Sequence, residues 1–306
     1  MRNNRLFSSL SAFPKPSKPV VLTIGNFDGV HKGHQSVLAH MRKIAEPSSL
    51  TTCAITFSNH PSEILRPTFP IPLVCTLPHR IKLLEENQVD TIVLLPFTQE
   101  LAQQSAAEFI KNVRSSIPFS HLILGHDATL GKDRHGDRTT MLRLGETSGF
   151  SVEYVEGYSY ETSPISSSRI RHFLIEGNLQ KVEELLGRPY SIYGKVLPGL
   201  GKGTKIGFPT ANVDVTGLCC PPYGVYAVTI KKGSSIASGI ANLGLAPTIR
   251  NKPLLEVHLF SSQDDLYNQE IEVLFHEFIR PEKRFSSLDE LKSQIQADIQ
   301  AVQSKQ

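Results

Sequence analysis

Residues Val20 to Gln35 read VVLTIGNFDGVHKGHQ, and three kinds of local structure meet in them. Val20 to Ile24 is apolar and β-branched, the composition of a strand buried on both faces of a parallel sheet. Gly25-Asn26-Phe27-Asp28-Gly29 interrupts that strand with turn formers. Apolar residues then recur at helical spacing at Val37, Leu38, Met41, Ile44 and Ala45. His31 and His34 fall three apart where the helix begins, so both rings can share one face near its positive end. Glycines at 25, 29 and 33 let the backbone turn tightly and approach a ligand. A strand, a glycine turn and a helix N-terminus with paired donors describe a polyphosphate site. Two histidines at this spacing, taken alone, are more often a surface pair or half of a metal site than a catalytic pair. The whole stretch favours phosphate.

The same alternation continues outward. Leu50 to Phe57, Thr91 to Leu95, His121 to Leu124 and Phe150 to Val155 read as further strands, and Arg80 to Asn87 and Ala106 to Val113 as helices. Residues 62–78, with prolines at 67, 70, 72 and 78, read as a surface loop. Strand and helix in turn predict a doubly wound parallel α/β sheet, whose ligands bind beyond the carboxyl ends of its strands. Gly25 to His34, His60 and Gly125 to Asp137 all follow strands, so they are expected around one cleft.

Ile165 to Arg171 reads ISSSRIR. Its serines precede an apolar helical run (Ile170, Phe173, Leu174), so they can cap it and turn backbone N–H groups toward an anion. Arg171 adds a forked donor suited to phosphate. A second short helix follows Asn178, and Gly187-Arg188-Pro189 marks a boundary. The expected organisation is an extended lead-in over 1–17, a sheet domain over 18–186 and a second domain over 187–306.

Beyond the boundary Ser191 to Leu197, Val225 to Ile230, Ile236 to Ile240, Leu254 to Phe260 and Ile271 to Phe278 alternate with glycine or proline turns. That pattern predicts a small antiparallel β-barrel. A helix closes the chain, with Ser287 and Glu290 as a capping box and Leu288, Leu291, Ile295, Ile299 and Val302 as its apolar stripe. In the barrel, residues 199–212 read GLGKGTKIGFPTAN. This is not a G-x-x-x-x-G-K-[ST] loop, but its glycines can cradle phosphates, and Thr210 and Asn212 are oxygen donors suited to a Mg²⁺ held mainly by ATP. Glu256, in LLEVHLF, shares a strand face with Leu254 and His258, while Leu255, Val257 and Leu259 take the other.

A net charge of +3 is spread without any run of like charges, which gives no reason to expect nucleic acid or an acidic membrane as partner. No apolar run approaches the roughly 18 residues of a membrane span. Cys53, Cys75, Cys219 and Cys220 form no C-x-x-C pair and read as reduced thiols. The expectation is a soluble cytoplasmic protein acting on small molecules.

GNFDGVHKGH resembles the H-x-G-H signature of nucleotidyltransferases in the form found in bifunctional riboflavin kinase/FMN adenylyltransferases, the prokaryotic FAD synthetases. ISSSRIR is similar to their ISSTxxR element with Ser168 in the Thr position, and Gly-Phe-Pro-Thr-Ala-Asn (207–212) to their kinase signature. Asn242 to Arg250 and Asp265 to Tyr267 match as well, so the resemblance runs over residues 18–302. It implies riboflavin, FMN and ATP with Mg²⁺ as substrates and FAD as product. For adenylyl transfer it implies His31, His34 and Arg171 as charge-stabilising groups, with Gly25, Asn26, Phe27, Asp28, Gly33, Ser167 and Ser168 on ATP. For the kinase it implies Glu256 as base, Thr210 and Asn212 on Mg²⁺, and Gly199, Gly201, Lys202, Gly203 and Gly207 on phosphate. Phe57, His60, Asp127 and Arg250 are the implied flavin contacts. The chain departs from the family where an aromatic-rich D-F-x-F-G becomes Asp127-Ala128-Thr129-Leu130-Gly131, and where acidic-Pro-His-Pro becomes Ser58-Asn59-His60-Pro61. A kinase with an altered first domain, and a non-catalytic flavin binder, are the alternatives.

Overall fold

The apolar runs of the first half pair into one parallel sheet. The computed structural model describes residues 5–14, 16–161, 163–198, 203, 206–246, 252–260 and 266–305. They group into two units, one of Met1–Ile71 with Arg80–Ser166 and one of Pro72–His79 with Ser167–Gln306.

In the first unit β1 (Arg5–Phe7), β2 (Val20–Ile24), β3 (Thr52–Phe57), β4 (Thr91–Leu95), β5 (Phe119–Gly125) and β6 (Ser151–Val155) lie in the order β1-β4-β3-β2-β5-β6. All five pairings are parallel. The helices are α1 (Lys32–Ala45), α2 (Pro61–Leu65), α3 (Leu77–Glu86), α4 (Gln99–Gln103), α5 (Ala106–Ser116) and α6 (Arg138–Ser148), and a hairpin of β7 (Ser159–Tyr160) and β8 (Ser163–Pro164) follows β6. Successive strand residues face opposite layers. Leu22, Ile55 and Val93 pack with Phe109, Ile110 and Val113 of α5 and Met141 of α6. Val21, Ala54, Ile92 and Ile123 pack with Val37, Leu38 and Met41 of α1 and Leu83 and Leu84 of α3. Each fully buried aliphatic side chain contributes about 1.5–3 kcal/mol, which is why a continuous apolar run suits a strand covered on both sides.

Several elements differ from the sequence expectation. Part of the lead-in is an edge strand, with Phe7, Leu10 and Phe13 packed on the core. Residues 62–78 are not all loop: Pro61 opens α2, the ring of His60 accepts from Ser62 N–H, and the Glu63 carboxylate accepts from His60 N–H at 2.8 Å. Further along, Leu73 and Thr76 bond within the second unit, to Gly217, Cys219 and Tyr193 backbone groups. Helix α6 has few apolar residues, and those it buries are Met141 and Gly145.

In the second unit α7 (Ser167–Ile175) and α8 (Leu179–Leu186) precede β9 (Ser191–Leu197), β10 (Ala211–Asp214), β11 (Gly224–Lys232), β12 (Ser235–Ala246), β13 (Lys252–Leu259) and β14 (Glu270–Pro281). These close an antiparallel barrel in the order β10-β13-β12-β11-β14-β9. Val213, Tyr226, Leu243, Leu255 and Val257 fill it, each no more than 1% exposed. The closing helix, α9 (Leu288–Gln303), lays Ile295, Ile299 and Val302 on Val225, Ala227 and Ile240 of the outer face, whereas Leu288 is exposed. Its cap differs by one residue from a capping box: Ser287 accepts from Glu290 N–H, but the Glu290 carboxylate accepts from Ser286 N–H at 2.9 Å. All four cysteines are free.

Arg280 fixes α9 by donating from Nε to both oxygens of the buried Asp298 at 3.0 Å and from Nη2 at 2.8 Å. Asp298→Ala strands that guanidinium. It is expected to destabilise this unit by about 3–5 kcal/mol, read as an earlier transition in thermal unfolding, with the sheet unit's own transition unmoved.

Candidate active sites

Strand β2 is the switch point of the sheet, because the chain runs from it toward β3 and β4 on one side and later resumes at β5 and β6 on the other. Ligands of such sheets bind in the crevice this leaves at the carboxyl ends. Gly25 continues the ladder by donating to Ile55 O at 3.0 Å. The turn that follows is strained: Phe27 holds φ +51° and Val30, β-branched, holds φ +40°. Phe27, Asp28 and Val30 are buried within it.

His31 caps α1, its Nδ1 accepting from His34 N–H at 3.3 Å, which leaves the neutral ring's proton on Nε2. The two imidazoles stack 3.7 Å apart at 18°, and the ring of Phe27 stands edge-on to His34 at 5.2 Å. Gly33 makes room for this stack, since a Cβ there would lie 3.1 Å from the His31 ring. Burial, then His31, then Arg80 hold the imidazole of His34 well below its ordinary pKa. His34 Nδ1, Asn26 Oδ1 and Arg80 Nε are buried with no partner among the described residues. Buried polar atoms left so call for an explanation such as a catalytic role or a bound water or ion, and two cation-capable rings beside a helix N-terminus suit an anionic triphosphate.

The composition of α3 gave no sign of Arg80's importance, because a basic residue on an amphipathic helix is normally solvated. Its spacing did: Arg80, Leu83 and Leu84 stand at i, i+3 and i+4. Arg80 is 1% exposed. It donates to Phe57 O at 2.8 Å and Thr56 Oγ1 at 3.4 Å, and Thr56 Oγ1 in turn donates to Asn26 O at 3.2 Å.

Of the implied flavin contacts, Phe57 is a core residue whose ring meets that of Phe97 edge-on at 5.3 Å. The His60 ring serves the cap of α2, and Asp127 is exposed beside His126. Ala128 and Leu130 pack as partly buried residues against the core cluster of the sheet, as Phe97 and Tyr154 do. Arg250 lies outside the described residues.

In the second unit α7 begins at Ser167, and Arg171 Nη2 donates to the exposed Ser168 Oγ at 3.2 Å. On the barrel, Glu256 of β13 stands opposite Asn212 of β10 and, on its other side, opposite Asn242 of β12. The register thus makes an Asn–Glu–Asn row on the outer face, next to the buried Leu255 and Val257. Asn212 is buried and Glu256 exposed. His258, two residues along the same face, donates from Nδ1 to Pro209 O at 2.9 Å, and its ring meets Phe208 edge-on at 5.5 Å. Gly203 receives Phe208 N–H on its carbonyl, and a Cβ on it would lie 2.3 Å from Phe208 O and 3.2 Å from Thr210 Oγ1. Gly207 takes φ +90°. Gly199, Gly201 and Lys202 lie outside the described residues. Thr210, Asn212 and one carboxylate are hard oxygen donors, a set that suits Mg²⁺ held mainly by nucleotide phosphates. Among the described residues no three His, Cys, Asp or Glu converge as a metal cage.

A parallel sheet with paired histidines at its switch point defines a nucleotidyltransferase-like domain, and the closed barrel with its Asn–Glu–Asn row a flavokinase-like one. The FAD synthetase family matches residues 13–169 and the riboflavin kinase family residues 186–305. The chain is 38% identical over 286 residues to a bifunctional riboflavin kinase/FMN adenylyltransferase of Haemophilus influenzae, covering 92% of this chain and 93% of that protein. To the one of Pseudomonas fluorescens it is 36% identical over 293 residues, covering 93% and 92%. It belongs to the family of bifunctional riboflavin kinase/FMN adenylyltransferases. A solved structure described as a macrolide-efflux protein from Streptococcus pneumoniae is also similar, with TM-score 0.81 and 26% identity over 98% of each chain. Among the described residues no helix is long and apolar enough to cross a membrane.

The His34 environment sets a pH dependence. Above about pH 6.5 the ring is neutral folded and unfolded alike; below it the unfolded chain takes a proton that the native site resists, so native stability falls as pH falls. His34→Gln is expected to flatten that slope by up to about 1 kcal/mol per pH unit, measured as urea midpoints at pH values on either side of about 6.5. Equal slopes in both proteins would show that His34 does not contribute.

Proposed function

We propose that the two units act in sequence, the barrel phosphorylating riboflavin to FMN with ATP and the sheet unit adenylylating FMN to FAD with release of pyrophosphate. The observation that carries this reading is the presence in one chain of a stacked histidine pair at a sheet switch point and a carboxylate between two asparagines on a closed barrel. The functional division is taken as 18–186 and 187–306, and the protein as cytoplasmic.

In the barrel, Glu256 accepts the proton of the ribityl 5′-hydroxyl as that oxygen attacks the γ-phosphorus of ATP, the bond from that phosphorus to the β–γ bridging oxygen breaks, and ADP leaves with the electron pair. Asn212 and Thr210 would hold Mg²⁺ with the nucleotide, where it neutralises phosphate charge. His258 steadies the Pro209 segment that carries Thr210. The glycine-rich 199–207 segment is assigned to the ATP phosphates, with Gly199, Gly201 and Lys202 taken from the family resemblance alone. Phosphoryl transfer proceeds through a loose transition state, so positioning and charge supply most of its rate.

In the sheet unit the acceptor is already an anion. The FMN phosphate attacks the α-phosphorus of ATP, the α–β bridging bond breaks, and pyrophosphate leaves with its electron pair, so no base is needed. His31 and His34 stabilise the charge that develops on the triphosphate, and the turn of Gly25, Asn26, Phe27, Asp28 and Gly33 receives the nucleotide. Ser167, Ser168 and Arg171 are assigned to the ATP phosphates from the family resemblance alone. Phe57, His60, Asp127 and Arg250 are assigned to the flavin.

The experiment is to supply the protein with riboflavin, ATP and Mg²⁺ and to separate FMN and FAD over time. FMN followed by FAD is expected; FMN alone would leave a kinase, and neither product would overturn the enzyme reading. Glu256→Gln is expected to slow FMN formation by about 10²–10⁴-fold while FAD still forms from added FMN. His34→Ala should do the reverse, with a loss on the order of 10²-fold in FAD formation and unchanged riboflavin phosphorylation.

A further inference from the structure

Arg80 is a large charged side chain in an apolar setting, and it faces no carboxylate in any ion pair among the described residues. A guanidinium cannot shed its proton to escape that burial. Its hydrogen bonds to Phe57 O and Thr56 Oγ1 satisfy part of the fork, while Nε has no partner among the described residues. A structural arginine in a core is ordinarily paired, because removing an unpaired charge from water is costly. Here the charge is retained at the carboxyl end of β3, next to the strand that opens onto the switch point.

Two connections join it to the Gly25–His34 stretch. One is mechanical: Arg80 holds Thr56, and Thr56 Oγ1 donates to Asn26 O within the turn. The other is electrostatic: Arg80 and His31 are the two cation-capable groups that act on His34. A polyanion arriving there would supply the negative charge that the free protein withholds.

We propose that Arg80 is a positioning residue of adenylyl transfer, which fixes the Gly25–His34 turn through Thr56 and provides a permanent buried positive charge behind the histidine pair for the ATP triphosphate. This rests on the reading of the sheet unit as the FMN adenylyltransferase. A preorganised charge of this kind costs nothing to reorient during the reaction, which is where such groups lower a barrier. The stacked imidazoles need not carry charge in the free protein, because the fixed cation is already in place.

Arg80→Gln retains amide donors and removes the charge, and Arg80→Lys retains the charge and loses the fork. In the full-length protein, kcat/KM for FAD formation in Arg80→Gln is expected to fall about 10²-fold, through kcat and the KM for ATP, with the KM for FMN unchanged. Arg80→Lys should recover about tenfold of that loss. Riboflavin phosphorylation by the barrel, measured on the same samples, should remain at its original rate. The His34 imidazole, followed by NMR, should titrate higher in Arg80→Gln, because a neighbouring positive charge is gone. FAD formation within about twofold of the unaltered protein, a lysine variant no better than glutamine, or an unmoved His34 titration would each overturn the proposal. Absence of FAD from the unaltered protein would instead overturn the adenylyltransferase reading, and this one with it.

Discussion

Parallel strand pairing imposes the geometry on which the first unit depends. Each strand must be regained by a crossover, so every strand delivers its following loop to the same edge of the sheet. With β2 between β3 and β5, the loops on its two flanks diverge and leave a crevice that no side chain has to carve. The turn of Gly25 to Gly29 and the capped start of α1 are therefore at the crevice by topology, and only their local chemistry had to be selected. That chemistry carries strain: Phe27 and Val30 both sit at positive φ, and the buried layers of α1 and β2 hold them there.

The barrel solves the positioning problem by register. A closed antiparallel sheet has one interior and one exterior, so period-two alternation alone decides which residues of β13 can meet a substrate. Leu255 and Val257 fill the inside, and Glu256 and His258 must face out. The alternation of Glu256 was thus legible from LLEVHLF. Its neighbours were not, because Asn212 and Asn242 are 44 residues before it and 14 before it in the chain, and their alignment exists only once three strands have paired.

The same distinction explains the rest of what could and could not be read. Residues 20–45 state their own structure, since a buried strand, a glycine turn and an amphipathic helix each have a local period. Helix α6 has none, because its role is to cover the sheet edge with Met141 and a close-approaching Gly145. Helix α2 was hidden by prolines that read as loop, although Pro61 is the residue that starts it. Arg80 is hard to read for a different reason. Its spacing with Leu83 and Leu84 marks a buried position, yet residue type suggests a solvated one, and the conflict between the two was itself the signal.

The two proposed reactions both act on a nucleotide triphosphate, yet the two sites handle charge in opposite ways, and the acceptors account for it. A hydroxyl must lose its proton as it attacks, so the barrel presents an exposed carboxylate, Glu256, flanked by neutral amides that can orient it without competing for the proton. A phosphate arrives already ionised and needs no base to take a proton from it. The corresponding place in the sheet unit has stacked imidazoles and a buried guanidinium beside the turn that carries Asp28. His34 is held neutral by its surroundings and Arg80 is held charged by its chemistry, so the two play complementary parts. The imidazole can adjust its proton to the substrate, and the guanidinium keeps the local potential positive before the substrate arrives.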